Sequence, residues 1–260
     1  MDPANPYEPP QSELIHPDQE RGPAGVPLVP WEDRVAYPGF ILRVMETMKL
    51  VFRPSAAGPS LGLHPRIGPA VTYFACIGLP MVWVTQILVA LLAPTDANAA
   101  ILELFGLPHQ APPPEMEQFQ KTVQVAVALF FPISMAMGMA VIGFASHGGL
   151  WLVKGLKAGR GLAATFRTLL YAYGTFNGLL WVFNVWVLLP PWFGLGVLGL
   201  SAVLSLAFFV QAGLLLAKAH GTEAWRGVVG MFLPWVVFGC CCGAAILALG
   251  GLAATLARAR

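Results

Sequence analysis

The chain has 260 residues, 57% of them hydrophobic and only 11% charged, with a formal net charge of +2. Soluble domains run at about 45–50% apolar and ~25% charged residues, so an ordinary aqueous globule is excluded. So small a net charge gives no electrostatic footprint for nucleic acid, and the few charges matter by position.

Residues 1–37 are polar and proline-rich, with seven acidic and two basic residues. Such a stretch buries too little apolar surface to offset its ordering entropy and is expected to be a disordered, acidic cytoplasmic tail. Trp31 interrupts it, an aromatic suited to a membrane interface or to packing on the domain. No basic n-region followed by an apolar core occurs here, so the first span is expected to act as the insertion signal.

Residues 38–54 change style. Phe40, Ile41, Val44, Met45, Met48, Val51 and Phe52 recur at helical spacing, while Arg43, Glu46, Thr47, Lys49 and Arg53 take most of the other face. The segment is too short and too charged to cross a bilayer. It is expected to lie in the interface as an amphipathic helix, with Arg43, Lys49 and Arg53 near lipid phosphates or a partner.

Four later stretches carry no charged side chain: 67–95, 122–153, 168–217 and 227–257. About 20 apolar residues suffice to span the hydrocarbon. The stretch 168–217 is broken by Pro190-Pro191 and reads as two crossings. The expected fold is therefore all-α, a polytopic membrane domain over 67–257 with five transmembrane helices near 67–92, 123–152, 168–189, 192–217 and 227–256, preceded by the interfacial helix.

The loop 93–121 is acidic, with a short surface helix expected around Ile101-Leu102 and Leu104-Phe105. The loop 153–167 carries Lys154, Lys157, Arg160 and Arg167 and no acid. By the positive-inside rule the N-terminus is cytoplasmic and the C-terminus outside, although Arg258 and Arg260 run against this assignment. The basic loop residues are then expected to contact lipid headgroups or a partner on the cytoplasmic side of a bacterial inner membrane.

Within the spans, Tyr173, Asn177, Trp181 and Asn184 fall on one helix face, and Gln211, Gln86 and Thr85 lie in neighbouring spans. Tyr173, Asn177, Asn184 and Gln211 are candidates for an intramembrane polar contact or pathway; interhelical hydrogen bonding, at ~0.6 kcal/mol per pair, is the commoner use of such residues. No Asp or Glu lies inside the five spans, which argues against a proton- or cation-coupled transporter. Ala136, Ala140, Gly143 and His147 line one side of span two, and Gly239 and Gly243 form a G-x-x-x-G in span five; both are packing signals. Pro80, Pro132 and Pro234 sit inside spans.

No catalytic constellation is visible, no cofactor motif occurs, and the expectation is a protein without enzymatic activity. Cys76, Cys240, Cys241 and Cys242 lie in apolar segments, and three adjacent helical cysteines point about 100° apart, so they cannot share a metal. His147 has no second histidine or carboxylate near it in sequence and reads as a hydrogen-bonding group at a helix end.

The order of features resembles the Yip (Ypt-interacting protein) domain family in its bacterial form. Pro30-Trp31-Glu32 followed by Phe40, Glu46-Thr47 and Phe52-Arg53-Pro54 is similar to the family's lead-in. Residues 161–167 (Gly-Leu-Ala-Ala-Thr-Phe-Arg) with Leu169-Leu170-Tyr171-Ala172-Tyr173 resemble its junction into span three. Residues 214–221 (Leu-Leu-Leu-Ala-Lys-Ala-His-Gly) resemble the end of span four, and residues 226–234 (Arg-Gly-Val-Val-Gly-Met-Phe-Leu-Pro) the start of span five. The resemblance covers about 30–256. It implies a five-span helical domain with a cytoplasmic N-terminus. Eukaryotic members are associated with Rab-type GTPases, but the acidic Asp-Leu-Tyr-Gly-Pro-like signature they carry is missing here, so Rab-type GTPase binding is not carried over. The leading expectation is a membrane scaffold or adaptor contacting lipids, other membrane proteins or itself; the rival is a small transporter or channel component.

Overall fold

The computed structural model describes residues 25–92 and 113–237, apart from the side chains of residues 114, 184–187, 191 and 192. The described residues are helices joined by short loops, with no strand among them. In chain order these are α1 (Phe40–Val51), α2 (Pro54–Gly62), α3 (Gly68–Leu92), α4 (Pro114–Leu152), α5 (Leu162–Leu180), a 3-10 segment (Trp181–Leu188), α6 (Pro191–His220) and α7 (Ala224–Val237).

Proline and glycine set most boundaries. Arg53 is held off the helical region at φ −120° and ψ 75°, as the ring of the following proline requires. Pro54, Pro114 and Pro191 each open a helix, where the missing N–H has no intrahelical partner to lose. The end of α6 is a Schellman turn: Gly221 has φ 63°, its N–H donates to the Lys218 carbonyl, and the Thr222 N–H donates to the Ala217 carbonyl. In α3, Phe74–Gly78 forms a π-helical turn. Pro80 follows it, and its ring would otherwise press on the Cys76 carbonyl four residues back; the widened turn absorbs the misfit.

Among the described residues, three helices are long and apolar enough to cross a membrane: Gly68–Leu92, Glu115–Leu152 and Phe193–His220. Their flanks are apolar and exposed. On α4 alone Val127, Phe130, Ile133, Met137, Val141 and Phe144 lie open to the surroundings. A face of that size is unfavourable in water and ordinary in hydrocarbon. The described residues are thus all-helical, and their three long apolar helices are compatible with an integral membrane protein.

Boundaries differ from the sequence expectation in two places. The second span was placed from 123, yet α4 starts at Pro114. Glu115 and Glu117 sit in its first turn, where acidic side chains complement the helix dipole. At 39 residues α4 is about 58 Å long, against ~30 Å of hydrocarbon. The third span was placed at 168–189, but α5 starts at Leu162, takes in Arg167, and gives way to the 3-10 segment after Leu180. It is the central helix: Ala164, Thr165 and every residue from Arg167 to Thr175 are buried. A charge was read as ending the span because the sequence does not reveal its counterion. Of the fifth expected span, Ala224–Val237 is described. Gly239, Gly243, Cys240–Cys242, Arg258, Arg260 and the helix expected near 101–105 lie outside the described residues.

The core runs through Tyr73, Leu150, Leu169, Tyr171, Leu215, Leu216 and Met231, all fully buried. Several approaches are too close for any side chain beyond hydrogen, and two of them seat helices on α6. A Cβ on Gly62 would overlap the Ala219 backbone, which seats α2 across the end of α6. One on Gly227 would overlap the Gly213 carbonyl, which seats α7 along α6.

Candidate functional site

Arg167, Tyr171 and Thr175 follow each other at four-residue spacing on α5 and therefore share a face. Arg167 has 0% of its surface exposed. Its Nη1 donates to the Arg66 carbonyl at 2.5 Å, and its Nη2 lies 2.5 Å from Glu32 Oε1. That second contact is ionic in distance but too bent to count as a hydrogen bond, and Nε has no hydrogen-bond partner. The Tyr171 hydroxyl donates to the same Glu32 oxygen at 2.5 Å, and the guanidinium stands 5.6 Å from the centre of the Tyr171 ring. Tyr171 packs on Tyr73 at 5.2 Å, whose hydroxyl meets the Thr175 hydroxyl at 2.9 Å.

Trp31 clamps the Glu32 side of this cluster. Its ring meets Tyr73 and Phe40 edge-on at 5.3 and 5.7 Å, and its Nε1 donates to Thr72 Oγ1 at 3.2 Å. Arg43 of α1 stands over it at 5.4 Å and donates to the Trp31 carbonyl at 3.5 Å. Val29 is 1% exposed. The packed part of the chain thus begins inside the stretch to which composition assigns disorder, because one carboxylate in it is the counterion of a buried arginine. His64 is also buried beside this pair with Nε2 unpartnered. Burial, and then the positive charge of Arg167, hold its pKa below the usual histidine value.

Of the residues of the expected polar contact, Tyr173, Asn177 and Gln211 have described side chains. Tyr173 is buried with its ring edge-on to Phe208 at 5.1 Å and its hydroxyl unpartnered. Asn177 lies one turn further with its Nδ2 unpartnered. Gln211 turns to α1, donating to the Val51 carbonyl at 2.8 Å. The side chain of Asn184 is outside the described side chains. Thr85 bonds its own helix, to the Met81 carbonyl at 2.8 Å.

The basic residues divide into three groups. Arg53, Lys154, Lys157 and Lys49 are exposed, and Lys49 is paired with Glu46 at 2.6 Å. Arg160 caps α6 from outside, donating to the Lys218 and Ala219 carbonyls at 3.1 and 2.5 Å. Arg167 leaves the set of headgroup-contacting residues: it is buried and held by Glu32.

His147 does bond at its helix end, but its setting was missed in the sequence. Its Nδ1 lies 2.9 Å from Thr165 Oγ1, and His220 Nε2 lies 2.9 Å from the same oxygen. One hydroxyl hydrogen serves one of these rings, so the other ring must donate to the oxygen. The link joins α4, α5 and α6 across separations that leave no local sequence signal. Among the described residues no group of three metal-ligating side chains occurs.

No family model, curated protein or solved structure matches the chain.

Proposed function

We propose that this chain is a five-span membrane scaffold or adaptor of the Yip type, without enzymatic activity, in a bacterial cytoplasmic membrane with its N-terminus inside and its C-terminus outside. The supporting observation is how the interior polar groups are used. Arg167 is neutralised by Glu32, Thr165 links two histidines, and Gln211 holds α1. What is left to outside partners is the apolar flanks, the α1 face with Phe40, Ile41 and Met45, and the exposed lysines 154 and 157. These suit contacts with lipid and with other membrane proteins or a second copy; each cation near an anionic leaflet contributes about 1 kcal/mol. Rab-type GTPase binding is not part of the reading.

The test is crosslinking in intact membranes followed by mass spectrometry of captured proteins and lipids. Specific enrichment of an anionic lipid or a membrane protein is expected. Recovery at background for both removes the proposal. The transporter reading is kept for one reason: Tyr173 and Asn177 hold unpartnered buried polar atoms. Solute flux in proteoliposomes that Asn177→Leu abolishes would favour it.

A further inference from the structure

An ionised side chain on the outer surface is strongly disfavoured in hydrocarbon and so marks where hydrocarbon ends. On α1, Lys49 is exposed and paired with Glu46, and Arg53, just past the end of the helix, is exposed as well. Two contacts fix the height of this end of α1. Gln211 of α6 donates to the Val51 carbonyl at 2.8 Å, and Met48 lies against Gly178 of α5. Gln211 is about 13 Å short of the end of α6 at His220. Gly178 is about 20 Å along α5 from Thr165, which bonds His220. The exposed charges of α1 therefore flank the middle of the bundle, not its end.

The surface of α6 changes at the same height. Up to Val210 it exposes apolar side chains, among them Leu198, Leu200, Val203, Leu206 and Val210. From Gln211 to His220 the one exposed residue is Lys218, and Ala212, Leu215, Leu216, Ala217 and Ala219 are buried. Phe193 to Val210 measures about 27 Å, close to the ~30 Å of hydrocarbon. The whole apolar span, at 28 residues, would be about 42 Å and overshoots it. The buried ion pair and the paired histidines sit beyond the change: Arg167 is about 3 Å along α5 from Thr165, at the His220 end.

We infer that the bilayer surface crosses the bundle at α1: phospholipid headgroups pack around Lys49 and Arg53, hydrocarbon ends level with Gln211, and the further ~13 Å of α5 and α6 stand in the headgroup layer and the water above it. The Arg167–Glu32 pair and the His147–Thr165–His220 link then lie outside the hydrocarbon, so the buried ion pair is not a mid-membrane charge. Hydrocarbon reaching instead to the exposed Phe144, Trp151 and Leu152 of α4 fails on the same lengths. A layer of ~30 Å ending there would leave Leu198 and Leu200 of α6 in water and would immerse the exposed Lys49 and Arg53. This rests on the membrane reading above and adds where along the bundle the membrane sits.

Depth-resolved fluorescence quenching tests this on the full chain, its four cysteines changed to alanine, in vesicles of phosphatidylcholine and phosphatidylglycerol. Single cysteines at the exposed positions Phe52→Cys, Phe144→Cys, Ala158→Cys and Val203→Cys carry a bimane. The quenchers are lipids with a nitroxide near the headgroup, lipids with a nitroxide at mid-chain, and aqueous iodide. At Phe52 the headgroup nitroxide should quench about threefold more than the mid-chain one, and at Val203 the ratio should invert. Phe144 should escape the mid-chain nitroxide, and Ala158 should answer to iodide alone. Mid-chain quenching at Phe52 or Phe144 that matches Val203 overturns the inference. Val203 open to iodide and untouched by either nitroxide sinks the membrane reading itself. Met45→Cys and Leu206→Cys, also exposed, repeat the two decisive readings where a first variant does not fold.

Discussion

Glu32 Oε1 sits 2.5 Å from Arg167 Nη2, and the arginine is wholly buried. A segment that precedes every span thus supplies the counterion for the central helix. Removing one partner of a buried ion pair costs far more than the pair contributes, because the other charge stays behind without compensation.

Glu32→Gln should therefore destabilise the bundle by about 3–5 kcal/mol. The double change Glu32→Gln, Arg167→Met removes both charges and should recover most of that loss. Thermal unfolding of the purified protein in detergent, wild type against the two variants, measures this. A double variant no better than the single one would show that packing, not charge, sets the cost.

Thr165→Val deletes the hydroxyl shared by His147 and His220 while keeping the shape. It leaves two ring nitrogens without their partner, one of them on fully buried His220. A loss of about 1–3 kcal/mol is expected, with Thr165→Ser close to wild type. The same unfolding assay resolves the pair.

Gly227→Val presses a side chain into the Gly213 carbonyl and the Ala217 side chain. The α6–α7 seam must open, at a cost of about 1–3 kcal/mol or more. A disulfide trap between cysteines placed across the seam should form more slowly in the variant. Gly196→Val, where the site is open, should leave the trap unchanged.

His64 links folding to pH. Its pKa is lowered in the folded state from 6.5, first by burial and then by Arg167; Arg66 acts in the same direction and Glu32 against it. Above about 6.5 both folded and unfolded forms are neutral and the residue adds no pH dependence. As pH falls below that value the unfolded chain takes up the proton first, so stability declines until the lower folded pKa is passed. Unfolding midpoints recorded from pH 8 to 5 should fall, and His64→Phe should flatten the part of the curve just below 6.5.

Much of the architecture was legible because its causes are local. A run of uncharged apolar residues is enough to form a helix in hydrocarbon, which marked the segments of α3, α4 and α6, and Pro190-Pro191 marked the break before α6. Pro54, by contrast, the expected end of the interfacial segment, also opens α2, a helix with no apolar run or period to announce it. The amphipathic pattern over Phe40–Val51 likewise appears as a helix with Phe40, Ile41 and Met45 facing outward. Boundaries failed where polar residues extended a helix, as at Glu115 and Glu117, or where a charge was taken to mean an end, as at Arg167.

The site residues were less legible, because a polar residue in an apolar segment announces that it needs a partner without naming it. Gln211 was grouped with Tyr173 and Asn177 as a candidate for one intramembrane polar contact, yet its amide bonds α1. Lys154 and Arg160 read alike from composition, yet Arg160 is spent on the end of α6. Composition and local pattern alone determined that the described segments are helical with exposed apolar flanks, since the tendency of each segment to leave water depends on that segment only. The pairing of Glu32 with Arg167, the His147–Thr165–His220 link and the burial of α5 were decided by tertiary structure, because each needs groups from distant segments to be desolvated together.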